Sequence, residues 1–260
     1  RPYRPHQKGP SMAVSRTRPA DRRGSAPRCA RVALALGVAA TLTGAGPGPR
    51  AWADGGPFPV PVTVGRAEQV ITVEADGTRA TVTLWARQDG LWRSLDSTTD
   101  ARIGSGGVHD GLTRVQGSGT TPTGTYTITQ GFGISPDPGT RMPYHHVTTH
   151  DWWVQDPSSA YYNRMRTDTE GGFHLTEQGA LGSEHLVSHP VQYDNVLVID
   201  FNTSPVVRGR GAGIFLHDLG PRADATGGCV AVPAAFMTRT MQWIDPADHP
   251  VVAIARRSSG

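Results

Sequence analysis

The sequence predicts a mainly β domain over residues 66–256, a sandwich or barrel-like packing of mixed short strands with one or two short helices. Apolar and polar residues alternate in several short segments, and Asp-Gly turn dipeptides separate the first of them. A 3.6-residue apolar period is clear only in one segment near the carboxyl end. With 37% hydrophobic and 18% charged residues, the composition is that of a globular protein.

The first half of this domain is predicted to be a meander of short strands. Turns at Asp76-Gly77 and Asp89-Gly90 separate its first three strands, because Asp-Gly favours tight hairpin connections. Residues 104–119 contain six glycines and predict a loop. Strands are expected over residues 70–73, over 79–87, from Leu91, and over 124–129.

The second half adds further strands and the clearest helix. Residues 195–200 form a continuous apolar run between turn residues, which predicts a buried central strand. The helix is expected over 233–244, since Pro233 suits a first helical turn. Its apolar face comprises Phe236, Met237, Thr240, Met241 and Ile244. The remaining strands are predicted over residues 152–154, 214–216, 229–232 and 251–255.

Residues 1–53 are interpreted as a leader with a secretory signal peptide. Arginine-rich sequence precedes the apolar run 32–42, which is too short for a permanent membrane helix. Residues 51–53, Ala-Trp-Ala, match a small-x-small cleavage site, so the mature chain is expected to begin at Asp54. The protein is therefore expected to be secreted to the cell wall or medium, without a stable membrane anchor after cleavage.

Several details of the chain ends accompany this interpretation. Met12 is a candidate initiator, and Arg22-Arg23 offers twin-arginine export as an alternative route. Residues 54–65 are rich in Gly and Pro and are interpreted as a linker, and residues 257–260 as a tail.

Charge and lysine content exclude several function classes. Residues 1–53 hold ten of the 25 basic residues and one acid, which leaves a net charge of −6 over 54–260. Such a body repels phosphate backbones, so no nucleic-acid partner is expected. Lys8 is the only lysine. P-loop, Schiff-base and Ser-x-x-Lys chemistries, which need a lysine in the site, are therefore excluded.

A cysteine and a histidine form the clearest chemical pattern. Cys229 is the only cysteine after the leader, and it follows His217 by twelve positions at the start of another predicted strand. Neighbouring strand ends would bring imidazole to thiol and favour a thiolate. The N–H groups of Gly228 and Cys229 could then face a developing oxyanion. A backbone carbonyl, rather than the Asp218 side chain, is expected to bind His217 Nδ1 because adjacent strand residues point to opposite faces.

This segment resembles a known family. His217, a gap, and then Thr-Gly-Gly-Cys before an apolar residue are similar to the motif of the L,D-transpeptidase catalytic domain, the YkuD-type fold of cell-wall enzymes. Residues 121–126, Thr-Pro-Thr-Gly-Thr-Tyr, resemble that family's strand entry. Segments similar to its secreted bacterial branch are 132–133, 142–144, 153–157, 161–163 and 184–186. The resemblance spans residues 68–256.

The resemblance implies an exported cysteine acyltransferase that acts on peptidoglycan stem peptides. Cys229 would form a thioester, His217 would move the protons, and no cofactor or metal is expected. Gly228 belongs to the catalytic turn, while Thr226, Gly227 and Tyr144 are expected to contact substrate.

Two positions depart from the family pattern. Gly227 stands where His or Lys is common, and Ala231 stands where many members carry Arg or Asn. A substrate carboxylate would therefore need another guanidinium. Arg222, in the loop between the histidine and the cysteine, is the favoured candidate for binding this carboxylate, and Arg164 is the second. Arg141 and Arg166 are the remaining candidates.

Other functions stay open at this point. The same Cys and His could support an L,D-carboxypeptidase-type hydrolase with water as acceptor, or the fold could be a non-catalytic cell-wall-binding module. Papain-like peptidases are disfavoured because their nucleophile precedes the histidine in the chain. A zinc site is not predicted, because the residues between His146 and His150 disfavour a helix. The other histidines that could serve as zinc ligands are His145, His174, His185 and His189.

Overall fold

A computed structural model describes residues 57–258, and the predicted leader and cleavage site lie outside the described residues. The strands are β1 Gln69–Asp76, β2 Arg79–Gln88, β3 Leu91–Arg102, β4 Val108–Asp110, β5 Thr121–Gly133, β6 Tyr144–His146, β7 Asp151–Trp153, β8 Met165–Thr167, β9 Glu184–His185, β10 Val196–Ile199, β11 Phe215–Asp218, β12 Val230–Val232 and β13 Val251–Arg256. The α-helix is α1, Ala234–Trp243, and short 3-10 helices occupy Leu186–Ser188 and Pro246–Asp248. The prediction of a mainly β domain is confirmed.

Eight of the strands close into a barrel. Their order is β10-β11-β12-β3-β2-β1-β13-β5, and β5 pairs back with β10. Two of these pairings, β1 with β13 and β11 with β12, are parallel, and the others are antiparallel. Strands β4 and β6 extend the sheet from β5. Closure leaves few unpaired backbone groups at strand edges.

Side chains alternate between two sides of the barrel wall and form separate apolar clusters. The barrel cluster includes Ile71, Val82, Leu197, Leu216, Val230 and Val252, contributed by strands around the whole barrel. The outer cluster comprises Phe132, Val147, Trp153, Leu186, Tyr193, Val196, Val198, Phe215 and Cys229. The outer cluster lies under the segment 134–195, which joins β5 to β10 and carries the small sheet β8-β7-β9.

Helix α1 lies where the apolar period predicts it. Phe236, Met237 and Met241 are buried in the barrel cluster together with Ile244, which follows the last helical residue. Thr240 is buried on the same face, and its hydroxyl donates to the Phe236 carbonyl oxygen at 2.8 Å. Among the described residues, no helix has the length and apolarity required to cross a membrane.

Three parts of the fold differ from the sequence-based expectation. Strand β3 is a long, mostly exposed strand of which only the beginning was predicted, and the glycine-rich loop contains β4. The short strands β6, β8 and β9 have no strong apolar alternation and were not predicted. Residues 57–65 contain no strand, but they are packed: the Phe58 ring meets Trp85 and Trp92 edge-on at 5.2 Å.

Candidate active site

The parallel pair β11 and β12 presents the histidine and the cysteine on one face. In this pair His217 lies opposite Ala231, and Leu216 lies opposite Val230. Leu216 and Val230 point into the barrel cluster. Because strand side chains alternate, His217 and Cys229 lie on the other face, beside the outer cluster.

That face forms one wall of a cavity of about 1190 Å³. His217, Cys229 and Ala231 line it from the barrel. Its other walls come from the loop before β5, the loop between β10 and β11, the loop between β11 and β12, and the segment 134–195. These walls include Arg114, Gln116, Gln155, Glu184, His189, Tyr193, Gly211, Gly213, Arg222, Thr226 and Gly227. A cavity of this size holds a peptide segment.

The Cys229 thiol is hydrogen-bonded to backbone groups at and just before the beginning of β11, the strand that contains His217. Its Sγ donates to the Gly213 carbonyl oxygen and accepts from the Phe215 N–H, both at 3.4 Å. Among the described residues, Sγ makes no hydrogen bond to His217. The structure therefore brings the two predicted catalytic residues to the same cavity without a direct hydrogen bond between them.

The His217 imidazole is held in one tautomer. Its Nδ1 lies 2.8 Å from the carbonyl oxygen of Asp218. A carbonyl oxygen only accepts, so Nδ1 carries the proton and Nε2 keeps its lone pair. The Tyr193 ring stands edge-on at 5.5 Å and fixes the orientation further. The prediction that a backbone carbonyl orients His217 is confirmed.

The resting thiol and imidazole are both neutral. Burial raises the pKa of Cys229 to about 12, and the nearby Glu184 carboxylate acts in the same direction. Burial also lowers the pKa of His217 to about 4, against the raising effect of its hydrogen bond to Asp218. Burial therefore acts against the thiolate that the Cys–His motif favours near neutral pH.

The turn before Cys229 is fixed by Thr226. Its hydroxyl donates to the Cys229 carbonyl oxygen at 2.7 Å and accepts from the Gly228 N–H at 3.1 Å. The Thr226 hydroxyl thus supports the turn, and Thr226 also lines the cavity, so its contact with substrate stays a prediction. The Gly228 N–H donates to Thr226 and is therefore not free to bind an oxyanion. Of the two predicted oxyanion donors, only the Cys229 N–H has no acceptor among residues 57–258.

Sequence reasoning missed Arg114, which lies in the glycine-rich loop. Its side chain is buried, with Nε donating to the Thr120 carbonyl oxygen at 2.7 Å and Nη1 to that of Arg210 at 3.1 Å. A Cβ on Gly228 would lie 2.9 Å from Arg114 Nη2, which places the guanidinium next to the catalytic turn. The contact with Arg210, 96 residues away in the chain, has no signal in the local sequence around Arg114.

The other predicted binding residues lie farther from the thiol or outside the cavity. Arg222 reaches the rim, but its side chain is 87% exposed and pairs with Asp224 at 2.8 Å. Arg164 is exposed. The Tyr144 hydroxyl donates to the Ser135 carbonyl oxygen at 2.8 Å. Among the described residues, the cavity walls include neither Arg164 nor Tyr144.

A buried amide joins the segment 134–195 to the site. Asn163 Oδ1 accepts from Trp153 Nε1 and from the Gly213 N–H, each at 3.0 Å. Its Nδ2 donates to the carbonyl oxygens of Phe201 and Asn202. These bonds fix Gly213, whose carbonyl oxygen accepts the hydrogen bond from the Cys229 thiol.

Glu184, in β9 of this segment, lines the cavity. Its Oε2 accepts from the Tyr193 hydroxyl at 2.9 Å. Burial raises the pKa of Glu184, with His189 opposing the shift. Neither Glu184 nor Tyr193 was assigned a role from the sequence.

The histidines considered for zinc have separate partners. His145 pairs with Asp151, His150 with Asp168, His174 with Asp156 and His189 with Glu177, at distances of 2.6–3.1 Å. His185 Nε2 lies 2.8 Å from the Thr149 carbonyl oxygen. Within residues 57–258, no three His, Cys, Asp or Glu side chains converge on a metal position.

A comparison with family models decides the family. The YkuD model, described as the L,D-transpeptidase catalytic domain, matches residues 68–253. The chain belongs to this family. In this L,D-transpeptidase domain, the cysteine and the histidine of the motif line the same cavity, and the small side chain of Ala231 lines it beside them.

Solved structures similar to this L,D-transpeptidase domain are distant in sequence. Bd1075 of Bdellovibrio bacteriovorus shares 14% identity with a TM-score of 0.37, over 73% of this chain and 48% of that one. The helical cell shape determining protein Pgp2 of Campylobacter jejuni shares 12% with a TM-score of 0.38, over 74% and 48%. The chain thus spans about half the length of these proteins. No curated protein matches this sequence.

The two motif glycines give a matched test of the catalytic turn. Gly228 has φ +143°, and a Cβ there would lie 2.8 Å from the Thr120 carbonyl oxygen, whereas Gly227 faces open space. Gly228→Ala should lower the free energy of unfolding by roughly 2 kcal/mol or more. Gly227→Ala should stay within about 0.5 kcal/mol of wild type. Urea denaturation measures both, and equal effects would contradict this description of the turn.

Asp218 predicts a specific pH dependence of stability. Its Oδ2 accepts from the Asn195 N–H at 2.9 Å, but Oδ1 is buried without a partner, and burial raises the pKa to about 7 from 3.8. The folded protein therefore binds this proton more tightly, which contributes stability below pH ~4 that is lost as the pH rises to about 7. Asp218→Asn should remove a loss of roughly 4 kcal/mol across this range. Urea titrations at several pH values test this, and parallel pH curves would contradict it.

Proposed function

We propose that this protein is an exported cysteine acyltransferase that cross-links peptidoglycan stem peptides by L,D-transpeptidation. The observation that supports it most is the shared cavity of Cys229 and His217, with Nδ1 held by a carbonyl and Nε2 left as a base. Family membership supplies the reaction class. Export rests on the leader predicted in residues 1–53.

The first half-reaction forms a thioester. Cys229 Sγ attacks the carbonyl carbon between the L-centre of a diamino acid and a terminal D-Ala, while His217 Nε2 takes the thiol proton. The Cys229 N–H faces the oxygen that gains charge. The C–N bond then breaks, and His217 returns the proton to the departing D-Ala amine. Because both groups rest neutral, proton transfer accompanies attack.

The second half-reaction consumes the thioester. The amine of a second stem attacks the same carbonyl, and His217 accepts its proton. The C–S bond then breaks, and His217 returns this proton to Sγ, which regenerates the thiol and the neutral imidazole. Water in place of the amine gives hydrolysis with the same residues. The ratio of cross-linked dimer to cleaved tripeptide distinguishes the transferase from the hydrolase.

The thioester is directly observable. Incubation with a tetrapeptide stem should add the mass of the acyl tripeptide at Cys229, followed by dimer. Cys229→Ala should show no adduct, and His217→Ala should slow acylation by about 10²-fold or more because the general base is lost. Mass spectrometry of intact protein and of its peptides measures each.

A contrasting outcome would favour a binding module. If the wild type shows no adduct with any acceptor and no thiol reactivity, while Cys229→Ala retains peptidoglycan binding, the acyltransferase proposal fails. A carbapenem gives an independent check, since it should add one mass increment at Cys229 and none in Cys229→Ala.

The neutral resting pair predicts the pH dependence of thiol alkylation. With the Cys229 pKa raised to about 12, the rate with iodoacetamide should rise about tenfold per pH unit from 7 to 10 without a plateau. Glu184→Gln should accelerate alkylation severalfold at pH 8, since its carboxylate raises that pKa. A plateau below pH 8 would show instead a preformed thiolate.

A further inference from the structure

Arg114 is a buried guanidinium without a carboxylate partner. Its side chain is 5% exposed, yet among residues 57–258 no Asp or Glu forms an ion pair with it. The carbonyl oxygens that accept from it, those of Thr120 and Arg210, are neutral. A buried guanidinium that has only neutral acceptors keeps a positive charge that an incoming anion can pair with, and such pairing offsets part of the cost of burial.

The position of this charge links it to the catalytic turn. Arg114 lines the same cavity as Cys229. Two of its nitrogens, Nε and Nη1, are occupied by backbone carbonyls, and Nη2 is the nitrogen that approaches Gly228. The bonded nitrogens hold the guanidinium rigidly, so Nη2 is preorganised for an incoming anion.

We propose that Arg114 is the carboxylate-binding residue for the donor peptide in this cavity. This inference rests on the proposed function, which supplies a substrate with free carboxylates. Arg114 would then bind the carboxylate for which Ala231, unlike the Arg or Asn of many family members, provides no polar group. Arg222 fits this role less well, because it is exposed and already paired with Asp224.

Two carboxylates of the donor share this chemistry. One is the C-terminal carboxylate of D-Ala, and the other is the side-chain carboxylate of a diamino acid such as diaminopimelate. Three tetrapeptides separate them: the parent, its C-terminal amide, and a version with lysine at the third position. The carboxylate whose removal weakens binding is the one that Arg114 holds.

Binding is measured by calorimetry in the Cys229→Ala protein, where no acylation occurs. The parent should bind at least tenfold more tightly than one of the two modified peptides. Arg114→Gln should reduce this ratio to below threefold, and Arg114→Lys should leave an intermediate ratio because it keeps the charge without the fork. Arg208→Gln, an exposed arginine outside the cavity, is the matched control and should keep the full ratio.

Several outcomes would overturn the proposal. It fails if the three peptides bind equally to the protein that retains Arg114, a result that does not depend on how the Arg114 variants fold. It also fails if folded Arg114→Gln keeps the ratio, or if Arg222→Gln removes it. Thermal unfolding of each variant identifies those that are folded. The thioester assay is separate, so failure of the acyltransferase proposal appears as a missing adduct and not as a lost binding ratio.

Discussion

The parallel pairing of β11 with β12 is the constraint on which the site depends. Parallel strands present paired side chains on the same face, so the register that sets His217 opposite Ala231 also sets Cys229 beside Phe215. The chain must leave the end of β11 and return to the beginning of β12, which explains why twelve positions separate His217 from Cys229. The returning loop becomes a cavity wall, and Thr226 fixes its end.

The segment 134–195 turns this exposed strand face into a cavity. Its aromatic residues complete the outer cluster: Trp153 from this segment and Phe132 from β5 pack around the Phe215 ring. Asn163 ties the segment to Gly213 by hydrogen bonds that satisfy both ends of its amide. Apolar packing and hydrogen bonds thus both hold this segment over the thiol. The burial that results raises the pKa of Cys229 and lowers that of His217.

The parts of the molecule with local signals could be predicted from sequence. The apolar run at β10 and the periodic face of α1 are visible within one element, and the alternation rule was sufficient to predict the carbonyl that orients His217. Arg114 could not be predicted, because its burial depends on the Arg210 carbonyl, 96 residues away in the chain. The raised pKa of the Cys229 thiol could not be predicted for a related reason. The motif pairs Cys with His, but the burial that raises this pKa is a property of the whole fold.

The charges near the thiol favour general-base catalysis over a preformed thiolate. Arg114 lowers the pKa of Cys229 while Glu184 raises it, and burial exceeds both effects. A substrate carboxylate bound at Arg114 would neutralise the one charge that favours the thiolate. Substrate binding would then make the resting thiol less acidic, so attack depends on a base that accepts the proton as the C–S bond forms. In the proposed reaction His217 is that base, because its Nε2 is unprotonated and it lines the same cavity as the thiol.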